Sequence, residues 1–137
     1  MVVFADTSAL FASLVSNDSH HGDGISLMRG LLEREDAIVT SSLVLSETMS
    51  LLQARVGLSH AILFHETLRP FLQVVWVDER LYESAVRRLR LRGRRKVSLV
   101  DASSFVIMEE RGIDTAFAFD DHFRLEGFQL LARARKS

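Results

Sequence analysis

Five short apolar segments, separated by stretches with helical periodicity, constrain the fold of this chain more than any other feature of its sequence. The segments are Val2–Ala5, Ala37–Thr40, Val74–Val77, Thr115–Phe119 and Gln129–Ala132. Each is almost wholly apolar, as is typical of strands buried on both faces of a parallel sheet. Because helical patterns lie between them, the order predicts an α/β fold, a three-layer α/β/α sandwich around a mostly parallel five-stranded sheet.

The intervening segments carry the start and stop signals of helices. Helices are predicted at Gly24–Arg34, Ser41–Val56, Ser59–Leu68, Glu79–Leu91 and Asp101–Arg111. Pro70 closes the third of these helices, and Gly112 takes the C-cap position after the last. With 137 residues the chain is long enough for one compact domain and too short for two, so we expect a single domain over residues 1–137.

Composition excludes several classes of function. The chain has no cysteine, which rules out disulfides, thiolate metal sites and cysteine nucleophiles. The apolar N-terminus lacks a basic leader and is interrupted by Asp6, so we expect no signal peptide. No uncharged stretch approaches the roughly 20 residues that a membrane-spanning helix needs. We therefore expect a cytoplasmic protein without a membrane anchor.

Acidic residues fall at positions where a parallel sheet would gather them. Asp6 follows the first apolar segment, and Asp120 follows the fourth. Because ligands of open α/β sheets bind outside the carboxyl ends of the strands, these two carboxylates are expected to converge. Asp6 and Asp101 also stand where Asp commonly caps a helix, so the residues alone leave capping open for both.

Glu47 lies on the apolar stripe of its predicted helix, between Val44 and Leu51. A carboxylate there is costly unless it is paired or bound to a cation. Arg55, the nearest basic residue of that helix, is expected to face another part of its surface, which favours a metal or a polar cleft over an ion pair. An all-oxygen acidic cluster suits Mg²⁺ or Mn²⁺, and the matching chemistry is phosphodiester hydrolysis.

Four segments in order resemble the PIN-domain nucleases, and among them the VapC-type toxins of toxin–antitoxin pairs. The segments are FADTSAL, LVLSET, SLVDASSFVIMEERGI and FAFDDHF, and the resemblance runs from Val2 to about Leu131. It implies a ribonuclease that hydrolyses RNA with Mg²⁺ or Mn²⁺, a cognate antitoxin as partner, and a homodimer. The Leu-rich region 41–68 is a candidate dimer interface, although a hydrophobic core would look the same.

The resemblance also implies roles for single residues. The expected catalytic acids are Asp6, Glu47, Asp101 and Asp120, of which Asp6, Asp101 and Asp120 are expected to bind the metal. Thr7 and Ser8 match the small hydroxyl residues after the first acid and are expected to contact substrate, and Ser98 matches a polar residue before the third. Phe123 stands where the family has a phenylalanine after the fourth acid. Ala118 departs from the Thr or Ser that many members carry, which predicts a weaker hydrogen-bond shell around Asp120.

Seven of the 17 Lys and Arg residues fall in the segment Arg87–Lys96. We expect Arg94, Arg95 and Lys96 to contact RNA phosphates, while a solvated face or an antitoxin site stays open. The roles of Asp121 and His122 are open, and a loop or helix-entry role is favoured for His20 and His21.

Trp76 is expected in the core and Tyr82 at its rim. The alternative function is a non-catalytic PIN-like protein that binds RNA or serves as a scaffold.

Overall fold

A five-stranded sheet, parallel at every strand pair, forms the centre of the computed structural model, which describes residues 1–131. The strands are β1 (Val2–Ala5), β2 (Ala37–Ser41), β3 (Leu72–Val75), β4 (Thr115–Phe117) and β5 (Gln129–Leu130). They lie in the order β3-β2-β1-β4-β5. The predicted α/β fold with a parallel five-stranded sheet is thus confirmed.

Seven α-helices connect the strands within the described residues. They are α1 (Thr7–Leu14), α2 (His21–Glu33), α3 (Ser42–Arg55), α4 (Leu58–Thr67), α5 (Glu79–Arg92), α6 (Leu99–Arg111) and α7 (His122–Leu125). Right-handed crossovers place α1 to α4 on one face, because the chain moves outward from β1 to β3. The return from β3 to β4 places α5 and α6 on the other face, where they pack against each other.

Some predicted boundaries were wrong. The third strand is Leu72–Val75 rather than Val74–Val77. Within residues 1–131 it is an edge strand paired only with β2, so its residues are not uniformly buried and the apolar run misplaced it. Trp76 follows the strand and is 68% exposed, which contradicts the expectation that it belongs to the core.

The helix after Ser98 begins at Leu99, two residues before the predicted start. Ser98 Oγ accepts a hydrogen bond from the Asp101 N–H, and Asp101 Oδ2 accepts one from the Ser98 N–H. Because of this reciprocal capping box, the helix begins at Leu99 rather than at Asp101. Gly112 ends the helix with a left-handed φ of 66°, as its C-cap position predicted. The last residue of the predicted fifth strand, Ala132, lies outside the described residues.

Phe123 anchors the segment that follows β4. Its side chain is fully buried, with its ring centroid 5.1 Å from that of Phe105 in an edge-to-face contact and 6.4 Å from that of Phe4. Because Phe123 lies in the first turn of α7, only three residues after Asp120, this aromatic contact fixes where the Asp120 carboxylate stands.

Replacing Phe123 with Ala is expected to lower the free energy of unfolding by about 3 to 5 kcal/mol, since it leaves a cavity among packed rings. Phe71, 61% exposed, is the control, and Phe71→Ala should change stability by no more than about 0.5 kcal/mol. Urea denaturation of the metal-free protein measures both. Equal losses for the two variants would contradict the anchoring role.

Candidate active site

The switch point of the sheet lies between β1 and β4, where successive connections leave in opposite directions. The backbone N–H of Asp6 donates to the carbonyl oxygen of Phe117 at 3.0 Å and continues the pairing of these strands to their carboxyl ends. Asp6 directly follows β1, and Asp120 lies three residues beyond β4. Both therefore stand at the edge where ligands of open α/β sheets bind, as the sequence predicted.

Ser8 joins the two sides of this switch point. Its Oγ donates to Asp6 Oδ2 at 3.0 Å and accepts a hydrogen bond from the Phe119 N–H at 3.0 Å. The Ser8 N–H also donates to Asp6 Oδ2, at 3.4 Å, so Asp6 caps α1 as well. The Ser8 hydroxyl thus holds the Asp6 carboxylate against the segment that carries Asp120.

Asp101 has a capping role and also lies in the cleft with the other acids. Besides the Ser98 N–H, its Oδ2 binds the Nδ1 of His122 at 3.0 Å. The Asp120 Oδ1 accepts the backbone N–H of His122 at 3.2 Å. His122 therefore links Asp101 to Asp120. It supplies part of the hydrogen-bond shell around Asp120 that Ala118 cannot supply, because Ala118 is buried and has no side-chain donor.

Among the described residues, each of the three aspartates is held through one carboxylate oxygen only. Hydrogen bonds engage Oδ2 of Asp6, Oδ2 of Asp101 and Oδ1 of Asp120. The other three oxygens accept no hydrogen bond from residues 1–131. Shells of this kind orient metal-binding carboxylates while leaving one oxygen for the ion.

Burial, and after it the negative charges of Asp120 and Asp101, raise the pKa of Asp6 from its usual value near 4 to about 8. The hydrogen bonds from Ser8 act in the opposite direction and are too weak to offset burial. Ionised Asp6 is therefore strongly disfavoured unless a positive charge lies beside it.

A divalent cation fits this site by its chemistry. The donor set consists of carboxylate oxygens, which Mg²⁺ and Mn²⁺ prefer, and its mutual repulsion is what a cation relieves. Among residues 1–131, no three His, Asp or Glu side chains are already gathered as a metal site. Cation binding would therefore have to bring the carboxylates closer together than they stand.

The acids line one cleft of about 380 Å³. Its walls are formed by Asp6, Thr7, Ser8, Phe11, Asp18, His20, Glu47, Leu51, Arg55, Lys96, Ser98, Asp101, Asp120 and His122. Glu47 is half-buried and makes no ion pair within the described residues, in agreement with the expected polar cleft. The expectation that Arg55 faces elsewhere was wrong, because Glu47, Leu51 and Arg55 follow one another at four-residue intervals and all reach this cleft.

The expected substrate-binding residues divide into two groups. Thr7 and Ser8 line the cleft, but the Ser8 hydroxyl is occupied, whereas the buried Thr7 Oγ1 has no partner within residues 1–131. Lys96 also lines the cleft. Arg94 and Arg95 do not, and Arg94 pairs with Glu126 at 3.6 Å. Only part of the basic segment is therefore next to the acids.

The sequence favoured a loop or helix-entry role for His20 and His21, and the structure places His20 directly before α2 and His21 at its start. His21 Nδ1 is hydrogen-bonded to the carbonyl oxygen of Ala12 at 2.7 Å, which fits a helix-entry role. The His20 ring stacks on Phe119 with centroids 4.6 Å apart and lines the cleft. Sequence reasoning also missed Asp18 as a member of the cleft; no motif marks it.

The raised pKa of Asp6 predicts that the metal-free protein loses stability as pH rises. Between about pH 4 and pH 8, Asp6 is protonated in the folded state and ionised in the unfolded state, so the folded state binds one more proton. The free energy of unfolding should fall across this window by several kcal/mol.

Asp6→Asn should remove most of this slope and raise stability at pH 8, since Asn retains the cap. Urea denaturation in a chelator at pH 5, 6, 7 and 8 measures the difference between parent and variant. A difference that does not change with pH would contradict the raised pKa.

Comparison with known proteins identifies the family. The PIN domain family profile matches residues 3–126. The 23S rRNA-specific endonuclease VapC20 of Mycobacterium tuberculosis, from strains CDC 1551 / Oshkosh and H37Rv, is 34% identical over 128 residues, which are 93% of this chain and 95% of the relative.

Solved structures agree. The crystal structure of M. tuberculosis VapC20, described as a sarcin–ricin loop cleaving toxin, has a TM-score of 0.80 at 33% identity, covering 93% of this chain and 96% of that one. FitAcB from Neisseria gonorrhoeae shares the fold, with a TM-score of 0.64 at 14% identity over 95% of this chain and 96% of that one. The resemblance seen in the sequence is confirmed: this chain belongs to the PIN-domain family, among relatives that include a VapC endonuclease toxin.

Proposed function

We propose that this PIN-domain ribonuclease is the toxin of a toxin–antitoxin pair and hydrolyses RNA with Mg²⁺ or Mn²⁺ bound by Asp6, Asp101 and Asp120. The observation that carries the proposal is the convergence of these three aspartates at the β1/β4 switch point, each with one oxygen held by hydrogen bonds and one left over. A binding-only module would gain nothing from concentrated negative charge facing phosphates, which argues against the non-catalytic alternative.

A cation bound there lowers the pKa of the attacking water and stabilises charge on the phosphoryl oxygens. The chain's own residues supply the rest. Glu47 faces the same cleft from α3 without an ion-pair partner among residues 1–131, so its carboxylate is available to orient water or accept a proton. The unpartnered Thr7 Oγ1 and the Lys96 ammonium are placed to bind substrate phosphate oxygens, with Arg94 and Arg95 contributing from the neighbouring loop.

The substrate class follows from the relatives. VapC20 is named a 23S rRNA-specific endonuclease, and its structure is described as that of a sarcin–ricin loop cleaving toxin. Identity of 34% over 93% of this chain makes the sarcin–ricin loop of 23S rRNA the first substrate to test.

The proposed partners are an antitoxin and a second copy of the chain. Leu58, Ile62 and Leu63 of α4 are 43 to 60% exposed and form an apolar surface suited to a homodimer interface. No helix within residues 1–131 is long and apolar enough to cross a membrane. We place the protein in the cytoplasm, where its RNA substrate would be.

Purified protein is expected to cut a synthetic sarcin–ricin hairpin in Mg²⁺ or Mn²⁺ and to stop in excess EDTA, because the acidic cluster cannot generate a nucleophile at neutral pH without a cation. Gel analysis of end-labelled RNA, with activity restored by added Mn²⁺, is the measurement. Cleavage that continues undiminished in the chelator would overturn the metal-dependent mechanism.

Asp101→Asn separates the catalytic role of this residue from its capping role. The amide oxygen of Asn retains an acceptor for the Ser98 N–H, so the metal-free variant should melt no lower than the parent, and relief of repulsion with Asp120 favours a slightly higher Tm. Cleavage should fall at least about 100-fold, because the metal loses a charged ligand.

The matched control is Asp23→Asn, an acid in the first turn of α2 outside the cleft, which should cut RNA like the parent. An Asp101→Asn protein with normal melting and normal cleavage would contradict the assignment.

A further inference from the structure

Arg55, the last residue of α3, stands in the active-site cleft with no role in the chemistry described above. We infer that Arg55 binds an RNA backbone phosphate beside the scissile one, an inference that rests on the ribonuclease function proposed above. Sequence reasoning did not single out this residue for substrate binding, since it is far along the helix from Glu47 and outside the basic segment Arg87–Lys96.

The position of Arg55 on α3 places it in the wall of the cleft. Glu47, Leu51 and Arg55 all line the cleft, so α3 presents one continuous face to it. Eight residues of helix span about 12 Å, so Arg55 stands about that far from Glu47 along the wall. A polynucleotide bound with its scissile phosphate at the acids extends along such a wall in at least one direction.

The orientation of Arg55 is restricted by a contact with Phe11. Its guanidinium carbon lies 5.8 Å from the centroid of the Phe11 ring, a cation–π contact with an aromatic residue that is itself 9% exposed. Contact with this ring restricts the side chain, and the guanidinium N–H groups donate no hydrogen bond within residues 1–131. A planar fork of donors held in this way suits bidentate binding of phosphate oxygens.

The charges that line the cleft also favour phosphate binding by Arg55. Five acids line the cleft: Asp6, Asp18, Glu47, Asp101 and Asp120. Arg55 nevertheless forms no ion pair with any carboxylate of residues 1–131, unlike Arg88 and Arg94 of the basic segment, which both pair with Glu126. Arg55 and Lys96 are the Arg and Lys side chains that line the cleft within the described residues. Both carry positive charge to which a polyanion entering this acidic cleft can bind.

A purely structural role is the competing explanation, because a cation at the C-terminus of a helix also complements the helix dipole. Arg55→Ala would then lower stability slightly and leave RNA binding unchanged. Arg55 is exposed, so the variant is expected to fold. Affinity for RNA and its salt dependence therefore separate the two explanations.

The experiment measures binding of a fluorescent sarcin–ricin hairpin by anisotropy, at salt concentrations from roughly 50 to 200 mM, in the non-cleaving Asp101→Asn background. Arg55→Ala should weaken binding about tenfold and flatten the slope of log K against log salt by about one, as the loss of one phosphate contact requires. Arg55→Lys should retain the slope and lose part of the affinity, since the charge remains and the fork does not. Arg29→Ala, an exposed α2 arginine outside the cleft, should match the background protein.

Neutral methylphosphonate linkages locate the contact. At one linkage the substitution should weaken binding of the Asp101→Asn protein but not of the Arg55→Ala double variant, giving a non-additive cycle. If Arg55→Ala behaves like Arg29→Ala while a protein with Asp101 intact still cuts the hairpin, the inference is overturned and the proposed function stands. If that intact protein neither binds nor cuts the hairpin, the proposed function fails, and the inference fails with it.

Discussion

The carboxyl group of Asp6, buried at the carboxyl end of β1, is the constraint on which the rest of this structure depends. Asp6 is 3% exposed and stands beside Asp101 and Asp120, so its ionised form is unfavourable in the metal-free fold. The parallel sheet makes this arrangement unavoidable, because strands of one direction end at one edge and the switch point opens a crevice there. A hard cation bound there would relieve this conflict, and the same cation would supply the chemistry of phosphodiester hydrolysis.

The surrounding structure holds the acids in place against their repulsion. Ser8 ties Asp6 to the end of β4, and His122 ties Asp101 to the turn that carries Asp120. Phe123 packs on Phe105 and so fixes the position of that turn. Functional sites commonly accept such local destabilisation, which the packed core of the domain offsets elsewhere.

Much of the fold and the acid positions could be predicted from the sequence because they depend on local patterns. Apolar runs predicted the sheet, and Asp6 and Asp120 were located by their positions after strands. Trp76 could not be placed, since an apolar run does not reveal that its strand lies at the edge of the sheet.

Contacts between distant parts of the chain were also out of reach. The hydrogen bond between Ser8 and Phe119 joins residues 111 positions apart, and no pattern in either segment predicts it. The prediction that Arg55 faces another part of the helix surface than Glu47 was wrong. Helical periodicity gives the direction of a side chain but not the width of the cleft that it faces. His122 has no motif of its own, and its link to Asp101 exists only once β4 and α6 are side by side.

The central claim is that three aspartates gather one or more divalent cations through the oxygens that accept no hydrogen bond from residues 1–131. Crystals soaked in Mn²⁺ and measured at the manganese absorption edge test it most directly. The account predicts an anomalous peak in the cleft bonded to Asp6 Oδ1, Asp101 Oδ1 and Asp120 Oδ2, and its loss in Asp101→Asn. A cleft without a peak at saturating Mn²⁺, or a peak bound to none of these residues, would contradict the account.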